Sequence, residues 1–231
     1  MNERNVEMKL RIENLTDKAG WIKAKVSLPS YDVSAVSERT KAHPVWIHFG
    51  IGNIFRIFIG GIADTLIENG RMDKGITCIE TFDTDVVDKI YAPYDNLVLA
   101  VTLNADGSSE RKILGSLTEA VKAGTADETD NARLREIFEE PGLQMVSFTI
   151  TEKGYALRKA DGEYLGYVDS DIKNGPDHAT GAMGIVTALL LNRFNAGAFP
   201  IALVSMDNVS KNGKKLRESV LEMGQKWEKR G

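Results

Sequence analysis

Apolar positions along this chain switch between two periods. Residues 44–49 (Pro-Val-Trp-Ile-His-Phe) are a short apolar run ended by Gly50, which predicts a buried strand. From Asn53 the spacing turns helical. Ile54, Phe58, Ile62 and Leu66 recur every four residues and predict one apolar stripe facing a core, with Asn69-Gly70 as the stop. A second apolar run, 75–81, meets the acids Glu80, Asp83 and Asp85. Strand, helix and strand in close succession make a βαβ unit. Residues 97–104 and 110–114 flank a polar turn and predict an inserted hairpin. Residues 132–140 read as a helix ended by Pro141-Gly142, and 144–150 as a central strand. Residues 157–175 are polar and rich in Gly and Asp, and read as a loop or small ribbon. Residues 179–196 form a long apolar helix closed by Gly197, 200–206 another buried strand, and 214–229 a helix with Leu216, Val220, Met223 and Trp227 on one face. Near-continuous apolar strands alternating with helices predict an α/β fold whose parallel sheet is covered on both faces.

Residues 1–44 break this alternation. They are polar, with short helices predicted at 17–26 and 32–41 about Leu28-Pro29, and read as an N-terminal arm packed on the domain formed by 45–231.

Composition narrows the function classes. Among 231 residues, 42% are hydrophobic and the net charge is −4, with no Lys/Arg-rich run, which argues against nucleic acid as a partner. The longest apolar run is too short for a membrane span, and the N-terminus lacks a signal peptide's apolar core, so a cytoplasmic location is expected. One cysteine, Cys78, excludes an internal disulfide and reads as a buried thiol. Three scattered histidines give no metal site. His48, inside the first strand, reads as a satisfied core histidine.

The sharpest motif is Gly50-Ile-Gly52-Asn53-Ile54-Phe55-Arg56, between the first strand and the first helix. A dinucleotide fold needs glycines there: Gly50 for the tight turn, Gly52 for close approach of the backbone to a pyrophosphate, and the helix N-terminus for its free N–H groups. Phe55 stands where a third glycine is usual. An acid near the end of the second strand would accept hydrogen bonds from ribose hydroxyls and repel a 2′-phosphate, favouring NAD over NADP. Glu80 and Asp83 are the candidates, and capping of a helix starting near Thr84 is the other reading of both. Methyltransferases that bind S-adenosylmethionine share these features. The pattern is that of a Rossmann-type, doubly wound, mostly parallel sheet with a small β insertion.

Three blocks in order carry a resemblance: His48-Phe-Gly-Ile-Gly-Asn-Ile-Phe-Arg56, Ser147-Phe-Thr-Ile-Thr-Glu-Lys-Gly-Tyr155, and Ser205-Met-Asp-Asn208 with Asn212-Gly213. From about Pro44 onward the chain resembles the mannitol dehydrogenase and fructuronate (mannonate) reductase family, with the arm and loop closer to the uronate reductases. The resemblance implies NAD(P)-dependent interconversion of a keto-uronate or ketose and its hydroxy form. It implies that Asn208 helps stabilise the substrate oxyanion and that Thr149 and Thr151 lie near the nicotinamide ribose. Lys153 and Tyr155 read as loop-shaping residues. The family's Lys-x-x-x-x-Asn-x-x-His motif, on a helical second domain, has no counterpart here. The expectation is therefore a cofactor-binding half, inactive alone, whose partners are a sugar acid or polyol and a C-terminal catalytic domain. The face left uncovered would be apolar and prone to self-association. A polyol dehydrogenase and a stand-alone nucleotide-binding module are the alternatives.

Overall fold

The computed structural model describes residues 9–229. The first eight residues of the arm and the last two of the chain lie outside it. Two helices come first, α1 (Lys18–Lys23) and α2 (Val33–Ala42). Asp17 and Asp32 start them by accepting the Gly20 and Ala35 amides, each at 3.0 Å. Then follow β1 (Trp46–Phe49), α3 (Gly60–Glu68), β2 (Ile76–Glu80), β3 (Val98–Leu103), β4 (Ser109–Leu114), β5 (Leu117–Lys122) and α4 (Glu128–Glu139). The rest is β6 (Met145–Phe148), α5 (Thr151–Tyr155), α6 (Gly166–Asn174), α7 (Ala182–Gly197), β7 (Ala202–Ser205) and α8 (Asn212–Glu228).

Five strands pair in parallel in the order β5-β2-β1-β6-β7. This is the expected α/β sheet, and its order reverses between β1 and β6. Each strand sends alternate residues to opposite faces. Ile47, Phe49, Ile79, Val146 and Phe148 join one core with Leu134, Ile137 and Phe138 of α4, Val186 of α7 and Met223 of α8. Trp46, Ile76 and Cys78 join the other, with Phe55, Ile59 and Ala63 from the first helical stretch. Helices therefore cover both faces, and the buried thiol is as expected.

β3 and β4 form the inserted hairpin, a two-stranded antiparallel ribbon of its own. The arm packs on it. Ser27 exchanges backbone hydrogen bonds with Arg111 and Ile113, both at 2.9 Å, and Trp21, Val26 and Val33 share a small core with Leu97 and Ile113. Buried Asp64 of α3 ties these parts together. Its carboxylate accepts from the Tyr31 hydroxyl at 2.6 Å and the Gly115 amide at 3.0 Å, and pairs with Lys112 at 2.6 Å. α2 turns to the sheet instead: Ser37 donates to the Thr118 carbonyl, and the Gly75 amide donates to the Thr40 hydroxyl.

Five sequence expectations need correction. The stripe of Ile54, Phe58, Ile62 and Leu66 does not face the core: the first three are 73%, 66% and 46% exposed. Phe55, Ile59, Ala63 and Ile67, the neighbouring row at the same spacing, are the buried one. A four-residue period cannot choose between two apolar rows on one helix. The edge strand β5 went unread, because Glu119 interrupts its apolar pattern. Arg133 neutralises that carboxylate with two hydrogen bonds at 2.9 Å. The 157–175 segment holds α6, whose polar composition hides buried Val168 and Asp171. β7 is only partly buried, as the last strand in the sheet order. α4 also begins four residues earlier than read, because Asp127 caps it by accepting the Thr129 and Asp130 amides.

At the pole where β6 and β7 begin, buried Arg193 of α7 donates to five backbone carbonyls at 2.7–3.0 Å: Phe138, Glu140, Leu143, Phe199 and Pro200. These belong to the end of α4 and the entries to both strands. Arg193→Leu orphans several carbonyls at about 1–3 kcal/mol each. The expected loss is at least about 3 kcal/mol, a fall in Tm of roughly 6–12 °C for a chain of this size. A fall under about 2 °C in a calorimetric scan contradicts this role.

Candidate functional site

The carboxyl ends of the strands flank a cleft of about 830 Å³ at the point where the strand order reverses, the usual ligand position in open α/β sheets. A larger groove, about 1020 Å³, runs along the arm between Ile12 and Ser34, away from the strand ends. The cleft is the stronger candidate because the glycine turn forms its wall.

That turn is fixed peptide by peptide. Gly50 has φ +88°, and a Cβ there would lie 2.2 Å from the Thr149 carbonyl oxygen, so only glycine fits. Its N–H donates to the Ile79 carbonyl at 3.0 Å. The peptide linking Gly50 to Ile51 is held at both ends: its carbonyl accepts from the Thr149 hydroxyl at 2.7 Å, and its N–H donates to Glu80 Oε2 at 3.2 Å. The next carbonyl, of Ile51, accepts from the buried Tyr91 hydroxyl at 2.8 Å. In a trans peptide the N–H points opposite to the C=O. The Gly52 N–H is therefore aimed away from the Tyr91 side, and it has no intramolecular partner among the described residues. A Cβ on Gly52 would meet nothing within 4 Å. The turn offers an open approach and a free donor.

Of the two strand-end acids, Glu80 is buried and committed. Besides Ile51 it accepts the Thr81 and Phe82 amides, at 3.0 and 2.9 Å. Asp83 is exposed on the cleft wall, and its carboxylate neither accepts a hydrogen bond nor caps a helix among the described residues. Next to it Phe82, 96% exposed, lines the same wall.

The opposite wall comes from β6. Thr151 sits at φ +62°, a left-handed conformation that a β-branched residue adopts at a cost of roughly 1–3 kcal/mol. Asp207 holds it there by accepting the Ile150 and Thr151 amides at 3.0 and 3.1 Å and the Tyr155 hydroxyl at 2.7 Å. Burial, with Asp207 beside it, pushes the Tyr155 phenol well above its ordinary range, so it stays a donor. The far end is closed by Thr180, Gly181 and Ala182 at the start of α7. The Thr180 and Gly181 amides are already taken by buried Asp171.

Of the residues singled out from sequence, the cleft gathers Gly50, Gly52, Glu80, Asp83, Thr149 and Thr151. It does not gather Asn53, Ile54, Phe55, Arg56 or Asn208. Phe55 is fully buried with its ring stacked on His48 at 4.0 Å, so it anchors the helix from behind. It opens a π-helical turn, Phe55–Ile59. Ile54 points to solvent, Asn53 contacts Arg56, and Arg56 lies over the Tyr91 ring. Asn208 is exposed just past β7, where the Asn212 amide donates to the Ser205 and Asp207 carbonyls and its side-chain oxygen accepts the Gly213 N–H at 2.6 Å. Sequence reasoning missed Tyr91, Phe82 and the bracing by Asp207. Only Asp207 had a signal, as the acid of the Ser-x-Asp-Asn block.

His48 is fully buried and bonded through both ring nitrogens, to Ser147 Oγ at 2.6 Å and Thr149 Oγ1 at 2.8 Å. Burial lowers its pKa to about 3. Unfolded, it titrates near 6.5. Between those values the unfolded chain binds the extra proton. The stability that neutral His48 supports is whole above about pH 6.5 and is lost as the pH falls toward about 3, at about 1.4 kcal/mol per pH unit. Urea unfolding of wild type and His48→Phe from pH 7.5 to 4.5 is expected to show that extra slope in wild type alone; equal slopes contradict it.

Residues 44–230 match the family model for the mannitol dehydrogenase Rossmann domain. The D-mannonate oxidoreductase of Thermotoga maritima is 47% identical over 97% of this chain and 41% of its own length. A mannitol 2-dehydrogenase of Pyrenophora tritici-repentis is 28% identical over 89% of this chain and 34% of its own. Among solved structures, the Pseudomonas fluorescens mannitol 2-dehydrogenase ternary complex with NAD and D-mannitol superposes with a TM-score of 0.78 at 26% identity, covering 95% of this chain and 42% of that one. A substrate-free D-sorbitol dehydrogenase shares the fold with a TM-score of 0.77. The chain spans between about a third and about two fifths of the length of these relatives. No helix among the described residues is long and apolar enough to cross a membrane.

Proposed function

The chain belongs to the mannitol dehydrogenase family, matching its Rossmann domain, and on that premise we propose that the cleft binds a nicotinamide dinucleotide, NAD in preference to NADP. The observation that carries this reading is the glycine turn: both of its peptides are fixed, and the Gly52 N–H stays free at the cleft wall. Gly50 shapes the turn, and Gly52 admits a pyrophosphate to the free N–H. Asp83 is the ribose acceptor, since its carboxylate is free while that of Glu80 braces the turn. A free carboxylate there repels a 2′-phosphate. Thr149 and Thr151 face the nicotinamide ribose. The bound cofactor supplies hydride transfer; the chain's own residues bind and orient it. The known solved complex of a family member with NAD supports this reading and weighs against S-adenosylmethionine.

For the whole protein we infer oxidoreduction of a sugar acid at a carbonyl or hydroxyl carbon. The 47% identity to a D-mannonate oxidoreductase, against 28% to a mannitol 2-dehydrogenase, favours a sugar acid over a polyol. Asn208, whose side-chain amide has no partner among the described residues, is the oxyanion donor in this reading, and the proton-donating group belongs to the part of the relatives' length that this chain does not span. The exposed Ile54, Phe58 and Ile62 stripe is the face assigned to that part or to a second copy.

Titration calorimetry with NADH and NADPH tests the cofactor reading. NADH is expected to saturate the site with NADPH at least roughly tenfold weaker, and Asp83→Ala to weaken NADH roughly tenfold, the worth of a hydrogen bond to a charged group. No NADH binding to a folded chain, or an unchanged Kd in Asp83→Ala with Glu80→Gln the weaker binder, contradicts the assignment.

A further inference from the structure

Behind the glycine turn runs a buried row of hydrogen bonds whose direction can be worked out. The indole Nε1–H of Trp46 donates to Ser147 Oγ at 2.7 Å. Ser147 Oγ lies 2.6 Å from His48 Nδ1, and His48 Nε2 lies 2.8 Å from Thr149 Oγ1. Thr149 Oγ1 donates to the Gly50 carbonyl at 2.7 Å. A carbonyl only accepts, so the single hydroxyl hydrogen of Thr149 goes to Gly50. Towards His48, Thr149 must accept, and Nε2 carries the ring hydrogen. Nδ1 of the neutral ring is then bare and accepts from Ser147 at 2.6 Å, much closer than that hydroxyl's other acceptor, the Ile47 carbonyl at 3.4 Å, while Ser147 itself accepts from Trp46. Every donor points the same way, from the core to the turn. The other tautomer would set a hydroxyl lone pair against a bare Nε2.

Resting on the dinucleotide reading above, we propose that His48 is a positioning residue for the cofactor turn. It receives order from Trp46 and Ser147 at one nitrogen and passes it through Thr149 to the Gly50 carbonyl. That carbonyl belongs to the peptide whose N–H is held by Glu80, so the relay fixes the plane on which the free Gly52 N–H is presented. Phe55 stacks on the ring and keeps it in the plane both hydroxyls need. Directed chains of this kind polarise one another, so the far end of the row is coupled to the turn.

The test reads tautomer and affinity separately. Nitrogen-15 NMR of the His48 ring at pH 7 is expected to show a protonated Nε2 and a bare Nδ1; an imidazolium or an Nδ1–H ring overturns the proposal. NADH affinity is then measured for wild type, Ser147→Ala and His48→Phe, with Leu134→Ala as a control destabilised in the opposite core. Ser147 is buried and outside the cleft. Even so, Ser147→Ala is expected to raise the NADH Kd roughly fivefold and His48→Phe roughly tenfold, the scale of one hydrogen bond. Leu134→Ala should lower Tm with Kd unchanged. An unchanged Kd in Ser147→Ala, or an equal rise in Leu134→Ala, overturns the positioning role while leaving the cofactor reading intact. A folded wild type that binds no NADH sinks the cofactor reading and this inference with it.

Discussion

Two consecutive peptides in the turn after β1 decide what this fold can do at its strand ends. The peptide between Gly50 and Ile51 is gripped by Thr149 on one side and Glu80 on the other, and the following carbonyl by Tyr91. These three side chains come from β6's end, from β2 and from the segment after it, so the turn is set only when the parallel sheet is assembled in the right order. A free backbone donor has no directing power if its peptide can rotate. Here rotation would break hydrogen bonds in a buried setting, where an orphaned group costs about 1–3 kcal/mol.

The rest of the architecture can be seen as support for that turn. The core of Ile47, Phe49, Val146 and Phe148 on one face keeps β1 and β6 in register, which keeps Thr149 opposite Gly50. The core on the other face seats Phe55 against His48 and brings Tyr91 under the turn. Arg193 closes the opposite pole, where β6 and β7 begin. The strained Thr151, held by Asp207, is a second place where the strand ends store conformational cost beside the cleft.

Much of this was legible in the residues. The apolar runs ending at Gly50 and Glu80 gave the first two strands, and Gly50-x-Gly52 marked the turn, because a positive φ with a carbonyl 2.2 Å from a would-be Cβ leaves glycine no substitute. What was not legible depends on long-range partners. Glu80 and Asp83 look alike in sequence. Only the fold shows that Glu80 is consumed by the Ile51, Thr81 and Phe82 amides while Asp83 is free. The row of Ile54, Phe58 and Ile62 and the row of Phe55, Ile59 and Ala63 are equally apolar, and the choice between them is made by the position of His48 across the sheet face. Tyr91 carries no local signal, since its hydroxyl reaches a carbonyl 40 positions away.

The central claim is that the fixed turn presents Gly52 to a dinucleotide in the cleft between β1 and β6. Amide hydrogen exchange with and without NADH tests it most directly. The account predicts new protection at Gly52, at Phe82 and Asp83, and at Ile150 and Thr151, with the arm unchanged. Protection along the arm groove between Ile12 and Ser34, with Gly52 exchanging as freely as before, would contradict it.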